Sequence, residues 1–326
     1  MATSNHHWLL FFTTAGRVYR TKAYNLPEAS RDAKGGHVAG LLSFQPDEQI
    51  AQVLAIRDYE QAPYLVLATR AGLVKKTRLG DYNSPRQAGV IAINFREADD
   101  ELIGAELVDA GDDILLVSRK GQAIRFPADD SQLRPMGRAT SGVQGMKFRE
   151  GDSVLSMSVI RADQVRAEAE HTATKPQYVF TITDGGFAKR TAIADYRTQS
   201  RGGIGIKAMS LANEERGVLV GAFIVVDGDE ILAITSGGQV VRSPIDDQFR
   251  PTGRSTMGVR FVTPKNGDEV AVVARSVERD AEVEEAVEEA VAGAPDEESV
   301  DPGDTIAEVE DSSSDDETDT DGPGED

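Results

Sequence analysis

The sequence predicts an all-β chain of the propeller class with an acidic tail. Three observations carry this: a unit that recurs five times, a spacing of about 50 residues typical of propeller blades, and a sharp change in charge near residue 277.

The unit reads WLLFFTTAGRVYR, YLVLATRAGLVKK, DILLVSRKGQAIR, YVFTITDGGFAKR and EILAITSGGQVVR. Each copy is an apolar run, a polar turn closing on glycine, and a second strand ending on a basic residue. The glycines are Gly16, Gly72, Gly121, Gly186 and Gly238, separated by 56, 49, 65 and 52 residues. A β-hairpin explains the pattern, because glycine reaches the positive φ of the turn at no steric cost.

Behind each hairpin a polar loop ends in glycine before an apolar residue, as GGHV, AGVI, SGVQ, GGIG and MGVR, and another apolar stretch follows. That makes roughly four strands per unit, the content of a propeller blade. WD40 units are excluded by the single tryptophan and the missing Gly-His and Trp-Asp pairs. Kelch units leave the basic residue four places after every glycine unexplained. The longest spacing holds RADQVRAEAEHTATKPQ, which predicts an exposed excursion. The apolar run GVLVGAFIVV, ten residues from Gly217 to Val226, reads as one buried strand or a strand pair, since a bilayer span needs about 20 residues. The opening directly on a hydrophobic strand predicts that part of one blade is missing from a propeller domain covering residues 1–277.

From Glu278 onward there are 22 acidic residues and one basic residue, leaving 34 basic and 33 acidic residues before it. A near-neutral body thus precedes a strongly acidic tail, residues 278–326. AEVEEAVEEAVAGA predicts a short helix; DSSSDDETDTDGPGED is too charged and too poor in large apolar groups to fold, so the tail is expected to be disordered. Cysteine is absent and the four histidines are His6, His7, His37 and His171. These exclude disulfides and thiol nucleophiles and supply metal sites poorly. MATSNHHWLLFF lacks a basic n-region and a small-residue cleavage site, so a cytoplasmic, membrane-free location is expected. No GxxxxGK[ST], HExxH or GxSxG occurs. No catalytic residue, metal ligand or cofactor is expected in this chain.

What does recur is positive charge. Arg20, Lys76, Arg125, Arg190 and Arg242 stand four places after the hairpin glycines, beside Lys22, Lys75, Arg78 and Lys189. A second set, Arg31, Lys34, Arg86, Arg138, Arg201 and Arg254, lies in the loops before the second glycine. On blades around an axis, equivalent positions form an arc. Duplex DNA carries one negative charge per ~1.7 Å, so a curved basic track suits a bent duplex. Such contacts meet phosphates and read no bases. The competing reading is that these cations only keep sheet edges soluble, as in a protein-interaction propeller.

The G-x-x-x-[KR] hairpins, YLVLATRAGLVKKT, RPMGRATSGVQGM, DGGFAKRT and QSRGGIG together resemble the C-terminal domain of the gyrase A polypeptide of DNA gyrase, from about Trp8 to Ser276. The resemblance implies a six-bladed propeller, or β-pinwheel, whose rim wraps double-stranded DNA so that an ATP-dependent type II topoisomerase introduces negative supercoils. It implies the remainder of gyrase A and the gyrase B polypeptide as partners, with the catalytic tyrosine outside this chain. The family's box is Gln-Arg-Arg-Gly-Gly-Lys-Gly. Gln199, Arg201, Gly202, Gly203 and Gly205 fit it, while Ser200 and Ile204 replace basic residues. A degenerate box implies binding of DNA with poor wrapping. The related domain of topoisomerase IV, which lacks the full box, is the alternative within the family. The acidic tail is expected to compete with DNA for the rim.

Overall fold

A computed structural model describes residues 3–30, 33–170, 172, 176–212, 216–265 and 267–276. Compactness divides the chain into Met1–Glu278 and Arg279–Asp326. The helix and disorder expected of the tail, and Arg31, lie outside the described residues.

The first repeat forms β1 (Trp8–Thr13), β2 (Arg17–Lys22) and β3 (Ile50–Ile56). The second forms β4 (Tyr64–Thr69), β5 (Leu73–Arg78), β6 (Val90–Ile91) and β7 (Leu102–Val108). The third forms β8 (Asp113–Ser118), β9 (Gln122–Pro127), β10 (Val143–Gln144) and β11 (Val154–Ile160). The fourth forms α1 (Ala162–Ala169), β12 (Tyr178–Thr183), β13 (Phe187–Ala192), β14 (Ile206–Lys207) and β15 (Leu219–Val225). The fifth forms β16 (Glu230–Thr235), β17 (Val240–Pro244), β18 (Val259–Arg260) and β19 (Val270–Ser276).

The sheets run β3-β1-β2-β6, β7-β4-β5-β10, β11-β8-β9-β14, β15-β12-β13-β18 and β19-β16-β17. The expected all-β propeller is present, as five blades. β3, β7, β11, β15 and β19 contact one another in succession, which places them innermost. The short strands β6, β10, β14 and β18 are therefore outermost.

The first four blades have the expected four strands, but the short strand of each has an unexpected source. A blade takes its fourth strand from the following repeat, not its own. The carbonyls of the first four hairpin glycines explain the exchange: Gly16 accepts the amides of Ala92 and Ile93 at 2.7 and 3.0 Å, and Gly121 those of Ala208 and Met209 at 2.8 and 3.3 Å. With φ of +72° at Gly16 and +76° at Gly121, and the next repeat crossing so close, a Cβ would stand 2.7 Å from the Ile93 oxygen or 2.8 Å from that of Met209. These positions need glycine both for the turn and for the crossing chain.

GGHV forms no strand. Val38–Gly40 is a 3-10 turn, and Leu42 beyond it is buried with Leu9, Phe11 and Tyr19 of the same blade. The fifth sheet has three strands among the described residues, and Val240 on its edge is 60% exposed. The excursion before the fourth hairpin contains α1, which starts where the Ala162 amide donates to Asp112 at 2.8 Å. GVLVGAFIVV yields the single strand β15.

The core lies between blades. Leu65 and Leu67 face Leu10 and Phe12 of the first blade, whereas Val66 and Ala68 face Ile114 and Leu116 of the third. Residues two apart share a face, so a strand buried on both faces reads as an unbroken apolar run.

Candidate nucleic-acid interface

The hairpin register puts the recurring cations at one place in every blade, since Arg20, Lys76, Arg125, Arg190 and Arg242 pair with Leu10, Val66, Leu115, Phe180 and Leu232. In the second, third and fourth blades that place is not a surface. Lys76 is 0% exposed, Arg125 6% and Arg190 2%. This corrects the expectation that they line an open rim, and the reason is the exchanged strand: the loop of the next repeat covers them.

Lys76 Nζ donates to the Ala128 carbonyl at 2.6 Å and to Asp130 at 2.9 Å. Arg125 Nε donates to Asp113 at 2.7 Å. Arg190 donates to the carbonyls of Phe249 and Asp246 at 2.5 and 2.9 Å and pairs with Asp227. The loop answers through its own amides, as Met136, Gln199 and Thr252 donate to the carbonyls of Lys76, Arg125 and Arg190 at 2.8, 2.8 and 2.9 Å. Aromatic faces complete three of the sites: Arg20 lies 4.4 Å from the Trp8 ring centre, Lys76 4.7 Å from Tyr64 and Arg190 4.5 Å from Tyr178, within the range of a cation–π contact. The third and fifth blades have Asp113 and Glu230 at that position instead.

Lys75 and Lys189 are also buried, contrary to expectation. Lys189 Nζ donates to the carbonyls of Gly253 and Arg254 at 2.8 and 2.6 Å, and Lys75 to those of Ala92 and Arg138. Each lysine thus holds a turn of the RPMGR or RPTGR loop. Burial, with Arg138 nearby, lowers Lys75 to about 7; burial, with Arg254 nearby, lowers Lys189 to about 8.

The remaining expected residues reach solvent. Lys34, Arg78 and Arg86 are exposed, and their side chains form no hydrogen bond or ion pair among the described residues. Arg242 is exposed and donates to Glu230 at 2.6 Å. Arg20 bonds Tyr59 Oη at 3.3 Å and Asn83, and Lys22 bonds the His6 carbonyl at 2.7 Å. Half-buried Arg138, Arg201 and Arg254 each donate to main-chain carbonyls.

The box-like segment folds along the outside of the third blade. Gly202 and Gly205 both have φ of +79°, and Gly202 donates to the Gly145 carbonyl at 2.6 Å. Arg201 donates to the carbonyls of Gln132 and, at 3.0 Å, Gln144. Gln199 is tied by its amide to Arg125, and Gly203 bridges Met146. Arg201, Gly202 and Gly203 thus lie against the preceding repeat's loop, and Gln199 and Gly205 against its strand β9.

Arg134, Arg197 and Arg250 fall outside the two sets of cations expected from the repeats. They stand four places before Arg138, Arg201 and Arg254, in the loops that lead to β10, β14 and β18. All three are exposed and form no hydrogen bond or ion pair among the described residues. A signal for them exists in the sequence, since R-x-x-x-R occurs at RPMGR, RTQSR and RPTGR. Arg134 and Arg201 line one rim depression of about 280 Å³ with Ser131 and Gln132. No group of three or more His, Asp or Glu is placed to hold a metal among the described residues.

The family described as DNA gyrase C-terminal domain, beta-propeller, matches residues 7–57, 63–109, 112–161, 177–225 and 229–275, one segment per repeat. The DNA gyrase A polypeptide of Nocardioides sp. is 80% identical over 295 residues, 85% of this chain and 32% of the relative. The chain therefore spans about a third of that relative's length. The crystal structure of the C-terminal domain of DNA topoisomerase IV is similar with a TM-score of 0.74 at 24% identity, over 88% of this chain and 85% of that one. The structure of a DNA gyrase A C-terminal domain has a TM-score of 0.67 at 23% identity, over 84% of each chain. Both structures support the fold. The chain belongs to the DNA gyrase C-terminal domain family of β-propellers, in the form carried by gyrase A.

Proposed function

We propose that this domain binds duplex DNA along its outer edge and bends it for an ATP-dependent type II topoisomerase. The observation that carries the reading is the recurrence of Arg134, Arg197 and Arg250, exposed and unpaired among the described residues, at one position of three successive repeats. Arg78, closing β5, and Arg86 add exposed cations at the second repeat's equivalent loop, with Lys147 just beyond the short strand β10 and Lys207 in β14. Guanidinium groups on successive outer loops suit a polyanion that follows a curve, and they meet phosphate oxygens without reading sequence. Smooth bending of 20–30 base pairs by 40–90° costs about 1–6 kcal/mol, so several such contacts must act together.

In this reading the parent complex contains the rest of the gyrase A polypeptide together with gyrase B, works in the cytoplasm, and gains negative supercoiling from the bent segment. Residues 1–277 form the binding body, and the acidic residues 278–326 are a separate arm. The high identity to gyrase A favours gyrase over topoisomerase IV as the parent.

The test is fluorescence anisotropy with duplexes of increasing length over a salt series. Affinity is expected to rise with length and fall steeply with salt. The variant carrying Arg134→Gln, Arg197→Gln and Arg250→Gln should bind more weakly with a shallower salt dependence. Unchanged binding by that variant would remove these residues from the track. Salt-insensitive or absent binding by the parent chain would favour a protein-interaction propeller.

A further inference from the structure

We infer that Arg138, Arg201 and Arg254 are positioning residues that staple each outer loop to the one before it and so set the spacing of the DNA-facing arginines; the inference rests on the rim-binding reading above.

The three arginines make the same contact. Arg138 donates to the Ile91 carbonyl at 2.9 Å, Arg201 to that of Gln144 at 3.0 Å, and Arg254 to that of Lys207 at 3.1 Å. Ile91, Gln144 and Lys207 are each the second residue of a short outer strand, β6, β10 and β14. Each guanidinium therefore reaches back by one repeat to an equivalent carbonyl.

A second bond closes every joint from the other side. The amides of Asn94, Lys147 and Ser210, three residues beyond those carbonyls, donate to Thr140, Gly203 and Thr256 at 3.2, 2.9 and 3.0 Å. The acceptors lie two residues before Gly142, Gly205 and Gly258, the glycines that open β10, β14 and β18. Loops of four successive repeats are thus joined by three identical couplings along the outer edge.

Arginine suits this role because its fork offers five donors, and a single guanidinium can hold one carbonyl in each of two directions. Arg201 does so, donating to Gln132 as well as Gln144. Arg86 supplies the contrast. Its loop runs three residues to Gly89 rather than four, and the first repeat forms a 3-10 turn where a short strand would stand, so its side chain is unbonded among the described residues.

A duplex bent over several loops samples their spacing, whereas one spanning a single loop does not. Losing a staple therefore alters curvature more than local affinity. Losing a phosphate contact does the reverse and lowers the slope of log affinity against log salt by about 0.9.

Arg201→Gln, Arg201→Lys and Arg197→Gln would be compared in the full chain by three measurements: amide hydrogen exchange, the salt slope on a short duplex, and end-to-end energy transfer on a long one. Arg201→Gln should speed exchange at the Lys147 amide at least tenfold, leave the slope unchanged and reduce the bend. Arg201→Lys should restore part of the protection, and Arg197→Gln should lower the slope while leaving Lys147 protected. Parental exchange at Lys147 in Arg201→Gln overturns the staple whatever the DNA does. A lowered slope with parental exchange and bend makes Arg201 a phosphate contact instead. A parent that binds no duplex overturns the rim reading and, with it, the DNA role of the staples.

Discussion

The Arg125 guanidinium donates to the Asp113 carboxylate at 2.7 Å inside the third blade, with side chains 6% and 7% exposed. Hydrophobic neighbours of the same volume would serve stability as well as a buried pair does. Removing one partner is different, because the other charge is left in a poor solvent. Arg125→Met should destabilise the domain by about 3–5 kcal/mol in urea unfolding, the range for breaking a buried pair. Arg242→Met, at the exposed equivalent facing Glu230, should cost less than about 1 kcal/mol. Equal losses would mean that burial does not govern these pairs.

Glycine at the hairpin carries two separate demands, and two positions separate them. Gly121 has φ of +76° and a Cβ there meets the Met209 carbonyl, whereas Gly238 has φ of +83° with nothing within 4 Å. Gly238→Ala should cost about 1–2 kcal/mol, the penalty of a left-handed conformation alone. Gly121→Ala should cost more and should raise hydrogen exchange at Ala208 and Met209, whose amides bond Gly121. Matching losses at both sites would mean the crossing chain yields freely.

Lys75 and Lys189 sit below their ordinary range, at about 7 and about 8, chiefly because burial disfavours the charged amine. Between those values and the unfolded pKa near 10.4, the unfolded chain binds more protons than the folded one. Stability should therefore rise as pH increases from about 7 toward 10. Burial raises Tyr82 and Tyr196 above their usual value, so the gain should reverse once unfolded tyrosine ionises, above about pH 10. Melting temperatures across this interval check the sign, and Lys189→Met should flatten the rise. A melting temperature that falls steadily from pH 7 would contradict the burial argument.

The tail carries 22 acidic residues against Arg279, beside a body of 34 basic and 33 acidic residues. A run of negative charge competes with DNA for the same cations, most strongly where screening is weak. Ending the chain at residue 278 should tighten duplex binding at low salt and change little at high salt, as read by anisotropy. Identical affinities at low salt would leave the tail without this role.

Hairpins, turn glycines and the recurrence of charge were legible because each is a local property: alternation along a strand, a positive φ, a fixed offset of four residues. Strand exchange was not. GGHV and AGVI read alike, yet Val90–Ile91 joins β2 of the preceding blade while Val38 turns back onto its own, because pairing depends on which edge lies within reach in space. Burial of Lys76, Arg125 and Arg190 follows from the same exchange, since the loop that covers them comes from the next repeat. The sequence by itself determined a five-unit β array with a cation at every hairpin. Only the tertiary structure decided that Lys76, Arg125 and Arg190 are buried against the next repeat and that Arg134, Arg197 and Arg250 face solvent. Whether a charge is solvated depends on contacts between repeats, and no local pattern records them.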